Sequence, residues 1–139
     1  MIVGTSLKKS FAVGREMRVI LDGSDVRVPA GEFLAVTGPS GVGKTTLLHV
    51  LAGIQPPDAG SVLWDGTDLY ALKESDRDKQ RARQAGLVFQ FHHLLPDISV
   101  EENIRLSLGI AGLNGRGEDS REAVSELLGR LGLSDFAGA

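Results

Sequence analysis

Gly38-Pro39-Ser40-Gly41-Val42-Gly43-Lys44-Thr45 fits the pattern G-x-x-x-x-G-K-[ST] at every required position. Phe33-Leu34-Ala35-Val36-Thr37 stands directly before it and is predicted to be a buried strand. Thr46-Leu47-Leu48-His49-Val50-Leu51-Ala52 follows and is predicted to be a helix. The pattern carries weight only in that strand–loop–helix setting, which the sequence supplies. The chemistry expected of it is phosphate binding. Gly38, Gly41 and Gly43 lack Cβ, so the backbone can take positive φ and close on an anion. Successive N–H groups then form a nest, and the following helix aims its positive end at the charge. Lys44 is expected to reach the β- and γ-phosphates, and the Thr45 hydroxyl to ligate Mg²⁺, a hard cation that prefers oxygen. Ser40 and Thr46 complete the expected loop contacts. The bland alternative, a glycine-rich turn with an exposed lysine, leaves the flanking strand and helix unexplained.

Composition narrows the remaining classes. At 139 residues one domain is expected, and 42% hydrophobic residues suffice for a core. Lys and Arg total 15 against 18 Asp and Glu, for a net charge of −3. The charges are mixed, so no basic field points to a nucleic-acid partner. The absence of cysteine rules out disulfides, thiol chemistry and Cys-ligated zinc, and is compatible with a cytosolic setting. The first residues, Met1-Ile2-Val3-Gly4-Thr5-Ser6-Leu7-Lys8-Lys9, carry no signal-peptide core, and no apolar run approaches a membrane span. No direct membrane insertion is expected; a membrane role would act through a partner.

Around the loop, residues 1–37 read as short strands joined by turns. Met17-Arg18-Val19-Ile20-Leu21 is one strand, with Asp22-Gly23 as its hairpin turn. Asp25-Val26-Arg27-Val28 alternates like a second. Gly53 to Gly60 is rich in breakers. Ser61-Val62-Leu63-Trp64 reads as a strand ending in the tight turn Asp65-Gly66. Glu74 to Gln84 is a charged, exposed helix, and Gly86-Leu87-Val88-Phe89 a second buried strand. Ser99-Val100-Glu101-Glu102 is a capping box, opening a helix with Val100, Ile104 and Leu108 on one face. A break follows at Gly109, Gly112, Gly115 and Gly117. Asp119 and Glu122 make another candidate capping box, and Val124, Leu127, Leu128 and Leu131 form a stripe closed by Gly132. There is no internal repeat.

Phosphate loop, the break from Gly53 to Gly60, Asp65-Gly66 and Val88-Phe89-Gln90 together resemble the ATP-binding subunit of an ABC transporter. The resemblance covers essentially the whole chain. It implies an α/β fold: a P-loop NTPase core with an N-terminal antiparallel β subdomain and the start of a helical subdomain, the C-terminal part of that fold being absent. The implied divisions are 1–37 for the β subdomain and adenine-side strands, 38–90 for the P-loop core to the Q-loop, and 91–139 for the start of the helical subdomain. It implies ATP and Mg²⁺ as cofactors, with Gln90 as the Q-loop glutamine touching Mg²⁺ or the attacking water. Phe11 occupies the place where the family stacks an aromatic on adenine. Phe91-His92-His93-Leu94-Leu95-Pro96-Asp97, with Val100-Glu101-Glu102-Asn103-Ile104, is similar to the branch holding lipoprotein-releasing and macrolide-export ATPases. It implies a transmembrane permease contact near Gln90–Asn103, a homodimer of the full-length domain, and a cytoplasmic position at the inner face of the membrane. A metal at His92 and His93 is not expected, since adjacent side chains of an extended segment point apart.

The family's hydrolytic parts lie further along than these 139 residues. No Leu-Ser-Gly-Gly-Gln signature occurs, and Leu106-Ser107-Leu108-Gly109 imitates it only inside a predicted helix. Val62-Leu63-Trp64-Asp65 mimics a Walker B strand but runs into a glycine turn, and His49 sits in the phosphate-loop helix rather than at a switch position. No catalytic residue is therefore assigned within the chain, which is expected to bind ATP without hydrolysing it. The full-length protein would couple hydrolysis to a membrane partner, in lipoprotein release or related export. The alternative is a truncated, non-hydrolysing nucleotide-binding or interaction module. A P-loop kinase of metabolites is disfavoured, because Gln90 and residues 96–103 have no role in one.

Overall fold

The computed structural model describes residues 1–91, 93–110, 112 and 118–139, with backbone alone at 118–120. They form two compact units, 1–81 and 82–139.

In the first unit, β1 (Ile2–Val13) and β2 (Glu16–Val28) make a long antiparallel hairpin, paired from Ile2↔Val28 to Val13↔Glu16. Its turn is at Gly14 and Arg15, not at the expected Asp22-Gly23. Gly23, at φ +73°, is instead the unpaired residue of a bulge, skipped between Lys8↔Asp22 and Leu7↔Ser24. Positive φ suits glycine in either role, and what decides between them is whether the partner strand continues past it. β3 (Ala59–Trp64) pairs antiparallel with the other edge of β1, and β4 (Thr67–Asp68) with β3, giving the order β2-β1-β3-β4. The expected turn at Asp65-Gly66 joins these last two. Both residues have positive φ, +46° and +87°, the twist-matched geometry of a two-residue hairpin loop.

α1 (Lys44–Leu51) packs on β1 and β2. Leu7, Val50, Val62 and Leu69 are fully buried, and Leu21, Leu51 and Trp64 nearly so. Gly60 lets β3 begin against β1, because a Cβ there would stand 2.4 Å from the Thr5 oxygen and 2.6 Å from that of Ser6. The charged helix α2 (Glu74–Gln84) has the predicted bounds and buries none of its residues.

In the second unit, α3 (Val100–Ile110) packs on α4 (Glu118–Arg130), and Val124 and Leu128 are buried. Leu127 and Leu131, expected on the same stripe, are exposed. The capping box at Ser99 is made as predicted. Glu102 N–H donates to Ser99 Oγ (3.3 Å) and Ser99 N–H to Glu102 Oε2 (2.8 Å). Asp119 does not cap α4, because the helix already includes Glu118. At its other end Gly132 (φ +68°) donates to Gly129 O and Leu133 to Leu128 O, a pair of bonds that closes the last turn. Gly109 lies within α3 rather than in a break, while Gly115 and Gly117 lie outside the described residues.

Two predicted strands are not formed. Residues 33–37 and 86–89 carry no strand ladder, Phe33 is 92% exposed and Val88 fully so. A strand exists through its hydrogen-bonded neighbours, and neither segment has a neighbouring strand among the described residues. Their apolar runs fit strands covered on both faces.

Candidate functional site

The glycine-rich loop expected to cradle an anion has positive φ at three glycines. Gly38, Gly41 and Gly43 have φ of +145°, +76° and +106°. Gly43 is the residue before α1, which begins at Lys44, where the helix start was expected. A Cβ on Gly43 would lie 2.6 Å from Ile20 Cγ2 and 3.2 Å from the Ile20 oxygen, so the loop passes directly over β2. No side chain caps the start of α1 and its first turn holds no acidic residue. Neither a side-chain cap nor a first-turn carboxylate thus offsets the positive end of the helix.

Lys44 Nζ donates to Gly38 O (2.9 Å) and Pro39 O (2.7 Å), so the ammonium folds back over its own loop. A phosphate oxygen is a stronger acceptor than a peptide carbonyl and would compete for it. Thr45 is exposed at the start of α1. It is an oxygen donor of the kind Mg²⁺ takes, beside the cradle, so the residue fits the ion. Ser40 is exposed on the loop and Thr46 half-buried in the first turn of α1.

The far end of α1 is fixed by side chains that the sequence did not single out. Trp64 Nε1 donates to Leu51 O (2.9 Å) and Arg81 Nη1 to Gly53 O (3.0 Å). The Tyr70 hydroxyl lies 2.7 Å from Val50 O and 2.6 Å from Gln55 O, with the Arg77 guanidinium 5.3 Å from its ring centre. Burial pushes the Tyr70 phenol up to about 12, partly opposed by the charges of Arg77 and Arg81. These groups reach the last two carbonyls of α1, of Val50 and Leu51, and the carbonyls of Gly53 and Gln55 just beyond it. They come from residues 13 to 28 positions away, and no local pattern announces them.

Phe11 lies on β1 opposite Arg18, half-buried, with Lys9 Nζ 5.8 Å from its ring centre. Lys9 donates to Asp58 Oδ1 (2.8 Å) and Pro56 O (2.7 Å), and the Ser10 N–H donates to Asp58 Oδ2 (2.6 Å). The two bonds that Asp58 accepts hold its carboxyl below the ordinary range.

In the second unit, Gln90 is exposed at the end of residues 86–89. Phe89 meets His93 edge to face, ring centres 5.3 Å apart; His92 lies outside the described residues. Asn103 grips the following stretch, its Oδ1 accepting from Leu95 N–H (2.9 Å) and its Nδ2 within reach of the Leu95, Ile98 and Ser99 carbonyls. Phe91, Leu94 and Leu95 stand exposed in front of that clamp. Among the described residues no helix is long and apolar enough to cross a membrane.

The ABC transporter family model matches residues 21–139. A lipoprotein-releasing system ATP-binding protein LolD from Paramagnetospirillum magneticum is 39% identical over 132 residues, which are 95% of this chain and 58% of that protein. One of the same name from Syntrophotalea carbinolica is 42% identical over 133 residues, covering 96% and 58%. Among solved structures, the dimeric ATP-binding cassette MJ0796 in a post-hydrolysis state bound to ADP and Pi superposes with a TM-score of 0.90 at 29% identity. That match takes in 99% of this chain and 60% of the cassette. The chain thus spans about three-fifths of the length of these relatives.

Proposed function

The chain belongs to the ABC transporter family, and on that premise we propose that its cradle holds Mg²⁺-ATP in the ATP-binding subunit of a lipoprotein-releasing or closely related export system. The observation that carries the reading is the positive-φ run Gly38, Gly41 and Gly43 leading into a helix start with no side-chain cap and no first-turn carboxylate. Lys44 reaches the β- and γ-phosphates by releasing the Gly38 and Pro39 carbonyls. Thr45 supplies an oxygen to Mg²⁺, and Gly38, Ser40, Gly41, Gly43 and Thr46 line the phosphates. Phe11 offers a flat face for adenine.

Bound Mg²⁺ would neutralise charge on the phosphate oxygens. Gln90, also assigned to Mg²⁺, follows an exposed segment in the second unit and provides a neutral amide. A permease subunit is the proposed partner of residues 90–103, supported by exposed Phe91, Leu94 and Leu95 on a stretch that Asn103 holds in shape. A homodimer of the whole domain, held at the cytoplasmic face of a membrane by that permease, completes the proposal. The 139 residues contain no Leu-Ser-Gly-Gly-Gln and no apolar strand ending in Asp-Glu. Binding is therefore proposed for these residues, and hydrolysis for the whole subunit.

Lys44→Ala tests the reading in the full-length gene product. ATP turnover and ATP affinity are both expected to fall below detection at millimolar nucleotide. Near-normal turnover would refute the assignment of the cradle.

A further inference from the structure

We infer that Lys9, locked by Asp58, is a positioning residue that sets the aromatic platform of Phe11 for a purine base. The inference rests on the proposed stacking of adenine on Phe11. Lys9 and Phe11 are two apart on β1 and share one face of the strand. The Lys9 side chain is only 12% exposed, unusual for a lysine on a small sheet. Its ammonium does not reach outward to bind an anion, because two of its N–H groups are committed to Asp58 Oδ1 and Pro56 O. Held there, the ammonium lies over the Phe11 ring at a distance where a cation and an aromatic face attract. That face is taken, which leaves the opposite one for a flat heterocycle. The cation also draws ring electron density toward itself, so the free face better accepts the electron-rich ring of adenine.

Asp58 does a second job at the same place. Its other oxygen takes the N–H of Ser10, the residue between Lys9 and Phe11, and its own N–H donates to Lys8 O (2.8 Å). The strand is thus pinned immediately before Phe11, and the pin comes from the segment that leaves the C-terminal end of α1. The helix that begins at the phosphate cradle ends by delivering the carboxylate that fixes the aromatic. Base platform and phosphate cradle are two ends of one tether, which sets their spacing. The Lys9 ammonium is committed to Asp58 Oδ1 and Pro56 O, so it is not itself proposed as a phosphate ligand.

The test titrates the full-length gene product with Mg²⁺-ATP and, separately, with inorganic tripolyphosphate, which has no base. Lys9→Met is expected to weaken ATP about fivefold and leave tripolyphosphate affinity unchanged. Lys9→Arg should recover most of the loss. Phe11→Ala should weaken ATP as well, and in that background Lys9→Met should add nothing. Equal weakening of both ligands by Lys9→Met would make the lysine a general support of the fold and overturn the inference. So would unchanged ATP affinity in Lys9→Met while Phe11→Ala lowers it. Unchanged ATP affinity in Phe11→Ala would instead remove the stacking reading itself, and the inference with it. If Lys9→Met melts below the assay temperature, Asp58→Asn, which keeps an oxygen for the Ser10 N–H, is read against the same two ligands by the same criteria.

Discussion

The indole nitrogen of Trp64 donates a 2.9 Å hydrogen bond to the carbonyl oxygen of Leu51, and both residues are buried. The bond ties the last residue of β3 to the last residue of α1. It keeps the helix in place under the sheet, and with it the loop at the other end of that helix. Trp64→Phe keeps most of the apolar area but leaves the Leu51 oxygen buried without a donor. A loss of about 2 kcal/mol is expected, read as a drop of several degrees in melting temperature. An unchanged melting curve would mean that water replaces the indole.

Tyr70 gives the same helix end a pH dependence. Its phenol stays protonated in the folded chain to about pH 12, whereas an unfolded tyrosine ionises near pH ~10. Between those values only the unfolded state gains by releasing the proton. The stabilisation is therefore complete below pH ~10 and is lost as pH rises through that window. Thermal melts from pH 8 to 12 should fall more steeply for the native chain than for Tyr70→Phe, and parallel curves would exclude Tyr70 as the cause.

Gly60→Ala is expected to be among the most damaging single substitutions. The added methyl would meet two main-chain oxygens, of Thr5 and Ser6, and φ at Gly60 is +94°. Neither oxygen is the end of a flexible side chain, so β1 and β3 must separate. A loss above about 3 kcal/mol is expected, enough to leave a marginal domain largely unfolded. Gly66→Ala, at φ +87° with open space around it, provides the comparison: strain without collision, and a smaller loss. Equal effects would show that backbone conformation alone accounts for Gly60.

The parts legible in the sequence were those set by residues close together in it. The glycine loop leading into α1, the Asp65-Gly66 turn, the Ser99 capping box and α2 are each decided within a dozen residues or fewer, and each stands where expected. Asp22-Gly23 carries the same local signal as Asp65-Gly66 yet became a bulge, because β1 runs on beside it. Residues 33–37 and 86–89 have the composition of buried strands, but a ladder depends on neighbours that composition does not contain. The roles proposed for Phe11 and Gln90 rest on resemblance alone. The Lys9–Asp58 pair joins residues 49 apart and had no sequence signal.

Glu102 is expected to make α3 sensitive to acid. The bonds from the main chain and side chain of Ser99 hold its carboxyl below the ordinary range. A lowered folded value means a contribution that is complete above the ordinary carboxylate range and lost as pH falls through the Glu102 value. Helical signal at residues 100–110, followed by backbone NMR between pH 6 and 3, should decline in the native chain. With Glu102→Gln the decline should flatten, and an identical decline would place the acid sensitivity elsewhere.

Asn103 separates the proposed partner surface from the fold. Its amide reaches the carbonyls of Leu95, Ile98 and Ser99, and its oxygen accepts the Leu95 N–H, so one side chain shapes the whole approach to α3. Asn103→Ala removes these bonds without touching the buried pair Val124 and Leu128. The exposed Leu94 and Leu95 would then no longer be presented in a fixed arrangement, and ordering them would oppose docking. In the full-length protein, recovery of the permease subunit by affinity purification should fall about tenfold, with ATP affinity unchanged. If ATP affinity fell in parallel, Asn103 would be a residue of the fold as a whole. If permease recovery did not change, the partner surface would have to lie away from residues 90–103.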